Sequence, residues 1–262
     1  MRFHVFSLAS PWRVRPWLTA ALLLTGLASQ AQQPASSTPP PTEQQRRQEE
    51  QFHTDWAGLA RYAPANEQLP APTPGRPRVV LMGNSITDVW PRADSAFFAT
   101  KTYEYVGRGI GGQVSGQMLL RFWPDVLALR PAVVAIMAGI NDIAQNQGLY
   151  NPTATLHNIL AMAELAQAHG IRVVLCSVLP AYDFPWRPGL QPAPKVLALN
   201  QQLRAYADQH HLVYLDYHTA LADDRQGLPP ALAKDGVHPT LAGYRLMEPL
   251  LQQAVARALR HK

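Results

Sequence analysis

The chain has too few of the residues that would tie it to a disulfide scaffold, a metal centre or a polyanionic partner. Its 262 residues include one cysteine, Cys176, so no internal disulfide can form. That cysteine lies in the apolar run Val173-Val174-Leu175-Cys176, where it reads as a small buried core residue. Charged residues make up only 16% of the chain, and the formal net charge is +5. Arg2, Arg13 and Arg15 lie in a segment expected to be removed, which leaves +2, too little to argue for nucleic acid or an anionic membrane as partner. The nine histidines and the lone cysteine form no cluster of metal-ligand spacing, and His210-His211 reads as a solvated helix end. There is no internal repeat. The apolar run Trp17–Ala28 is shorter than the roughly 20 residues an ordinary spanning helix needs.

That run follows Arg13 and Arg15 and precedes the small residues of Ser29-Gln30-Ala31, so residues 1–31 read as a signal peptide. The expected location is therefore secreted or periplasmic, with no stable membrane insertion after cleavage. No cysteine near the cleavage site offers a point for lipid attachment. Residues 32–48 are rich in Pro, Gln and Ser, include Pro39-Pro40-Pro41, and read as a disordered linker. Residues 49–77 read as an N-terminal helix followed by a connector. Phe52, Trp56, Leu59, Ala60 and Tyr62 recur at roughly helical spacing, and Pro70, Pro72, Pro74 and Pro77 then extend the chain.

The remainder, residues 78–262, alternates short apolar runs with helical patterns. Strands are expected at Arg78–Met82, Tyr103–Val106, Val133–Met137, Ile171–Leu179 and Leu212–Tyr217. Helices are expected over Thr87–Thr100, around Met118–Leu127, over Thr153–His169 with Gly170 as terminator, over Lys195–Gln209 and over Thr240–Arg260. This order predicts an α/β fold, a five-stranded parallel sheet in a three-layer α/β/α sandwich with right-handed crossovers.

In such a sheet the loops that follow the strands emerge at one edge, where ligands bind. Four polar segments fall at those positions: Gly83-Asn84-Ser85-Ile86-Thr87, Gly107 to Gln113, Gly139 to Asp142, and Asp235-Gly236-Val237-His238-Pro239. Together they supply what acyl transfer needs. Ser85 at a strand-to-helix corner serves as nucleophile, His238 as base, and Asp235, three residues earlier, as the group that holds the imidazole. Donors for a developing oxyanion come from the Ser85 N–H, a glycine N–H of Gly111-Gly112 and the Asn141 amide. Each residue also has a plain structural use: a helix N-cap for Ser85, a tight turn for the glycines, a loop cap for Asn141. Trp90, Trp123, Tyr182, Phe184 and Trp186 are candidates to line a sugar or acyl site, although aromatics more often pack.

The four blocks, in this order and covering about Arg78 to Leu259, resemble those of the SGNH, or GDSL-like, hydrolase family. Gly83-Asn84-Ser85-Ile86 is similar to its first block, Ile110-Gly111-Gly112-Gln113 to its glycine block, Gly139-Ile140-Asn141-Asp142 to its G-x-N-D block, and Asp235-Gly236-Val237-His238-Pro239 to its D-x-x-H block. The resemblance implies a flavodoxin-like sandwich and ester hydrolysis through an acyl-serine, with neither cofactor nor metal. It makes Ser85 the nucleophile and first oxyanion donor, Gly112 the second, Asn141 the third, His238 the base and Asp235 its partner. The aromatic-rich loops and the segment before the first strand further resemble secreted bacterial members that act on carbohydrate acetyl esters. The expected substrate is thus a small-molecule or carbohydrate ester with a short acyl group, O-acetyl above all. Lysophospholipids and aryl esters stay open, as does a catalytically silent carbohydrate-binding module, and nothing indicates an oligomeric state. Two positions depart from the family pattern: Asn84 replaces the aspartate usual before the serine, and Gly107 replaces an asparagine. Asn84 is expected to tune activity without abolishing it, and Gly107 bears on support of its loop.

Overall fold

Short runs of valine, isoleucine and leucine form strands because branched side chains pack well on a pleated surface, and here alternate residues feed two separate cores. A computed structural model describes residues 40–260. The expected signal peptide and residues 32–39 of the expected linker lie outside those residues.

In chain order the elements are α1 (Glu43–Thr54), α2 (Ala63–Gln68), β1 (Arg78–Gly83), α3 (Ser85–Ala93), α4 (Ser95–Phe98), β2 (Glu104–Gly109), α5 (Ser115–Leu120), α6 (Phe122–Asp125), β3 (Val133–Ile136), α7 (Ile140–Ile143), α8 (Pro152–Ala168), β4 (Arg172–Cys176), α9 (Pro192–Gln209), β5 (Val213–Leu215), α10 (Tyr217–Leu221) and α11 (Leu241–Arg260). The five strands form one parallel sheet in the order β2-β1-β3-β4-β5. This is the flavodoxin-like order, in which the chain reverses its direction of progress between β1 and β3 and opens a crevice at their carboxyl ends.

Val80, Met82, Val134, Ile136, Val173 and Leu175 point into one core, closed by residues of α5, α6, α8 and α9. Val79, Leu81, Val133, Ala135, Val174 and Cys176 point into the other, closed by α3, α4, α10 and α11. Cys176 is fully enclosed there, and burial pushes its thiol well above the ordinary range, so it stays protonated and inert. Trp90 also belongs to this second core. It stacks on Phe97 and Tyr244 at 5.7 and 5.2 Å and donates to Glu248 Oε1 at 3.3 Å, so it is a packing residue and not part of a binding wall.

The elements differ from the sequence expectation mainly at their ends. The helix expected from Thr87 begins at Ser85, because the Asn84 side chain caps the Ile86 N–H at 3.3 Å. It breaks at Asp94, whose carboxylate caps a separate turn through the Phe97 N–H. β4 stops at Cys176, short of Leu179. Beyond Ser177, whose N–H still reaches Leu215 O, the Asn200 side chain takes over both the N–H and the C=O of Val178, at 2.7 and 3.0 Å. α1 begins at Glu43, inside the stretch expected to be linker. Thr42 and Gln45 form a reciprocal capping box that starts the helix there.

Candidate active site

Glycines let backbones approach at this edge of the sheet. A Cβ on Gly109, the last residue of β2, would lie 2.1 Å from the Asp88 nitrogen and 2.6 Å from Asn84 O, so only glycine fits between the second strand and the first turn of α3. This contact brings the glycine loop alongside the serine, and a Cβ on Gly111 would fall 3.8 Å from the Ser85 Cβ. Gly112 follows with φ of +77°, a left-handed conformation that any other residue would strain to hold.

Ser85 is the first residue of α3. Its Oγ lies 2.8 Å from His238 Nε2, across a separation of 153 residues. The other ring nitrogen, Nδ1, lies 2.6 Å from Asp235 Oδ2. The same carboxylate accepts the backbone N–H groups of His238 and Val237 through Oδ1, at 2.7 and 3.0 Å. Gly236, at φ +76°, makes the turn, and a bridge between Ala233 and Pro239 closes its base. Partial burial pushes the Asp235 carboxyl up, but the His238 and Val237 donors and the imidazole more than offset this and hold it below the usual carboxylate range. An ionised Asp235 keeps the proton on Nδ1 and leaves Nε2 free to accept from Ser85.

Asn141 enters from α7, just beyond β3, and is buried. One of its amide hydrogens goes to Gln113 O at 2.9 Å, and its Oδ1 accepts from Asn146 Nδ2 at 3.1 Å. A primary amide has two N–H groups, so a second donor remains. Asp142 turns away from the cleft to hold the start of α5, accepting from Ser115 Oγ at 2.6 Å and Ser115 N at 3.0 Å. Ser85, Asn141, His238 and Asp235 therefore meet at one edge of the sheet, with the Gly111–Gly112 loop beside the serine. Asn84 retains the capping acceptor that an aspartate would supply, without its charge.

Arg121 is a structural residue that the motif blocks do not include. Its fully buried guanidinium donates to Gly83 O (2.9 Å), Arg108 O (3.0 Å), Gln113 Oε1 (2.6 Å) and Asp125 Oδ2 (2.9 Å), tying together the ends of β1 and β2 and the glycine loop. The available signal was an Arg and an Asp four residues apart on the same helical stripe as Met118, Phe122 and Val126. The segment before β1 braces the same region. Tyr62 donates to Gly109 O at 2.5 Å, and Asn66 accepts from Arg108 Nε at 2.9 Å while donating to Asp125 Oδ1 at 2.7 Å.

The aromatic candidates separate. Phe184 is buried, and Trp123 is exposed against His169. Tyr182 lies under Arg225, while Trp186 is half-exposed with its ring 6.1 Å from that of His238. Among the described residues no group of three or more His, Cys, Asp or Glu side chains could hold a metal ion, and no helix is long and apolar enough to cross a membrane.

Residues 81–246 match the GDSL-like lipase/acylhydrolase family. The chain belongs to that family. A Bacteroides fragilis protein classed as an acylhydrolase is 48% identical, with a TM-score of 0.76 over 79% of this chain and all of its own. A GDSL-like lipase from Bacteroides thetaiotaomicron is 47% identical, with a TM-score of 0.74 over 78% of this chain and all of its own. An acetylxylan esterase from Xylanibacter ruminicola is 25% identical over 226 residues, 72% of this chain and 45% of that protein. The chain thus spans less than half the length of that curated relative. Membership of this acylhydrolase family supports an esterase activity.

Proposed function

We propose that this protein is a secreted serine esterase that removes short acyl groups, O-acetyl groups on carbohydrate above all, through an acyl-serine intermediate. The observation that carries the reading is the unbroken relay from Ser85 Oγ to His238 Nε2 and from His238 Nδ1 to Asp235, at 2.8 and 2.6 Å. His238 Nε2 takes the Ser85 proton as Oγ attacks the ester carbonyl. The oxyanion is held by the N–H of Ser85 at the start of α3, the Gly112 N–H and the second amide hydrogen of Asn141. As the tetrahedral species collapses, the proton on His238 passes to the departing alcohol oxygen. A water molecule then gives a proton to His238, attacks the acyl carbon and releases the acid, and Ser85 regains its hydrogen.

The carbohydrate half of the reading draws on the half-exposed Trp186 beside His238 and on the acetylxylan esterase among the relatives. Ser85→Ala tests the mechanism with p-nitrophenyl acetate as substrate. The expected loss is about 10⁵–10⁶ in kcat, the scale seen when the nucleophile or base of such a relay is removed, and an unchanged rate would reject it. Faster acetate release from acetylated xylan than fatty-acid release from lysophospholipid supports the carbohydrate assignment, and the reverse order favours a lysophospholipase.

A further inference from the structure

The segment before β1 carries two aromatic side chains that the proposed catalysis does not use. Phe52 and Trp56 are 55% and 37% exposed, although each is large and apolar. Both line an open groove of about 570 Å³ together with Ile110-Gly111-Gly112 and Asn146-Gln147. The groove therefore begins at the glycine loop that flanks Ser85.

The Trp56 end of this wall is fixed in place. Gln113 Nε2 donates to Ala57 O and Gln117 Nε2 to Trp56 O, both at 2.7 Å, while Trp56 Nε1 donates to Gln147 Oε1 at 3.3 Å. Gln113 and Gln117 also accept from Arg121 Nε and the Val114 N–H, so their amides are committed to holding the wall. The groups left to meet a ligand are two aromatic faces, the Gln147 amide hydrogens and the nearby Glu49 and Gln51.

A single acetyl group ends in one methyl and does not require a groove of this size. A fatty chain calls for an enclosed apolar channel, whereas this groove is open and edged by amides and a carboxylate. Aromatic faces that stack on ring C–H groups, beside amide and carboxylate partners for hydroxyls, suit a sugar ring. We propose that Phe52 and Trp56 form a sugar-binding platform, which takes a pyranose unit next to the acetylated one in an oligosaccharide or polysaccharide substrate. The proposal rests on the serine esterase reading above.

The test is the dependence of KM on substrate length, measured with acetylated xylose and acetylated xylo-oligosaccharides. For the parent enzyme KM is expected to fall as the substrate lengthens. Trp56→Ala and Phe52→Ala should each raise KM for the longer substrates by roughly 3- to 10-fold, the size of one lost aromatic contact, with kcat nearly constant. Trp56→Phe, which keeps a ring, should recover most of the loss. Phe52 is exposed enough that its variant folds, as a thermal melt will verify. If both alanine variants keep the parent's length dependence, the platform is wrong and the esterase reading stands. If the parent hydrolyses neither p-nitrophenyl acetate nor any acetylated sugar, the esterase reading fails and the platform with it.

Discussion

His238 and Asp235 meet within a single turn, with side chains 38% and 42% exposed, whereas Asn141, Gln113 and Arg121 come from separate elements and are 5%, 4% and 0% exposed. The side that carries the proposed base is built from contacts three residues apart and faces water. The side that carries the proposed oxyanion donors is braced by contacts that reach across 28, 38 and 56 residues through buried side chains, although Gly112 itself is exposed. A residue on the first side can be replaced at little cost to the fold and a heavy cost to chemistry. On the second side, fold and chemistry are lost together.

The largest effect that isolates the base side is Asp235→Asn. The amide no longer demands a proton on Nδ1, so the imidazole presents the wrong tautomer to Ser85, and kcat is expected to drop by about 10³–10⁴. The melting temperature should move little, because asparagine keeps an Oδ1 acceptor for the Val237 and His238 N–H groups. A matching loss of stability would erase the distinction between the two sides.

Arg121→Met probes the buried bracing of the other side. It strands Asp125 and removes a donor from Gly83 O and Arg108 O, at an expected cost of about 3–5 kcal/mol. For a domain of this size that lowers Tm by roughly 6–20 °C. Misplacing the glycine loop by about 1 Å should cost roughly 10² in kcat/KM. Removing the partner as well, in Arg121→Met/Asp125→Leu, should restore part of the stability while leaving kcat/KM low, which would separate the uncompensated charge from the positioning role. Full recovery of activity in the double variant would show that the guanidinium does not hold the loop.

The smallest effect concerns acid stability. The Asp235 carboxyl is depressed in the folded protein, so its contribution is present above its unfolded value, near 3.9, and fades as pH falls through the lower folded value. The difference in melting temperature between the parent and Asp235→Asn should therefore shrink as pH falls below about 4, and a difference that stays constant across that range would show that the carboxylate's charge contributes nothing to stability.

The same contrast explains what could be read from the sequence. Strand positions, the parallel sheet and the Asp235/His238 pair rest on local periodicity and on a spacing of three, which one chain displays directly. Asn141 and Gly112 could be named because their blocks are short and resemble known ones. Arg121 could not, since an arginine inside an apolar stripe acquires meaning only when Gly83, Arg108 and Gln113 are folded around it. The strand that ends at Cys176 looked longer because Val178 and Leu179 remain apolar and buried, while the Asn200 side chain that ends the ladder comes from a helix farther along the chain. Trp90 was ambiguous for the converse reason, since a core tryptophan and a binding tryptophan look alike in sequence.

The clasp between the segment before β1 and the body of the domain bears on modularity. Arg78 donates to Pro70 O and Arg108 to Asn66 Oδ1, and Tyr62 reaches Gly109 O. A cut at residue 77 would leave two largely buried guanidinium groups short of acceptors and would remove the outer layer over the end of β2. A piece cut at residue 77 would keep the four motif blocks and lose the contacts that Tyr62, Asn66 and Pro70 make to β1 and β2. Fusion or recombination at the motif boundary is therefore expected to carry the chemistry and leave part of its foundation behind.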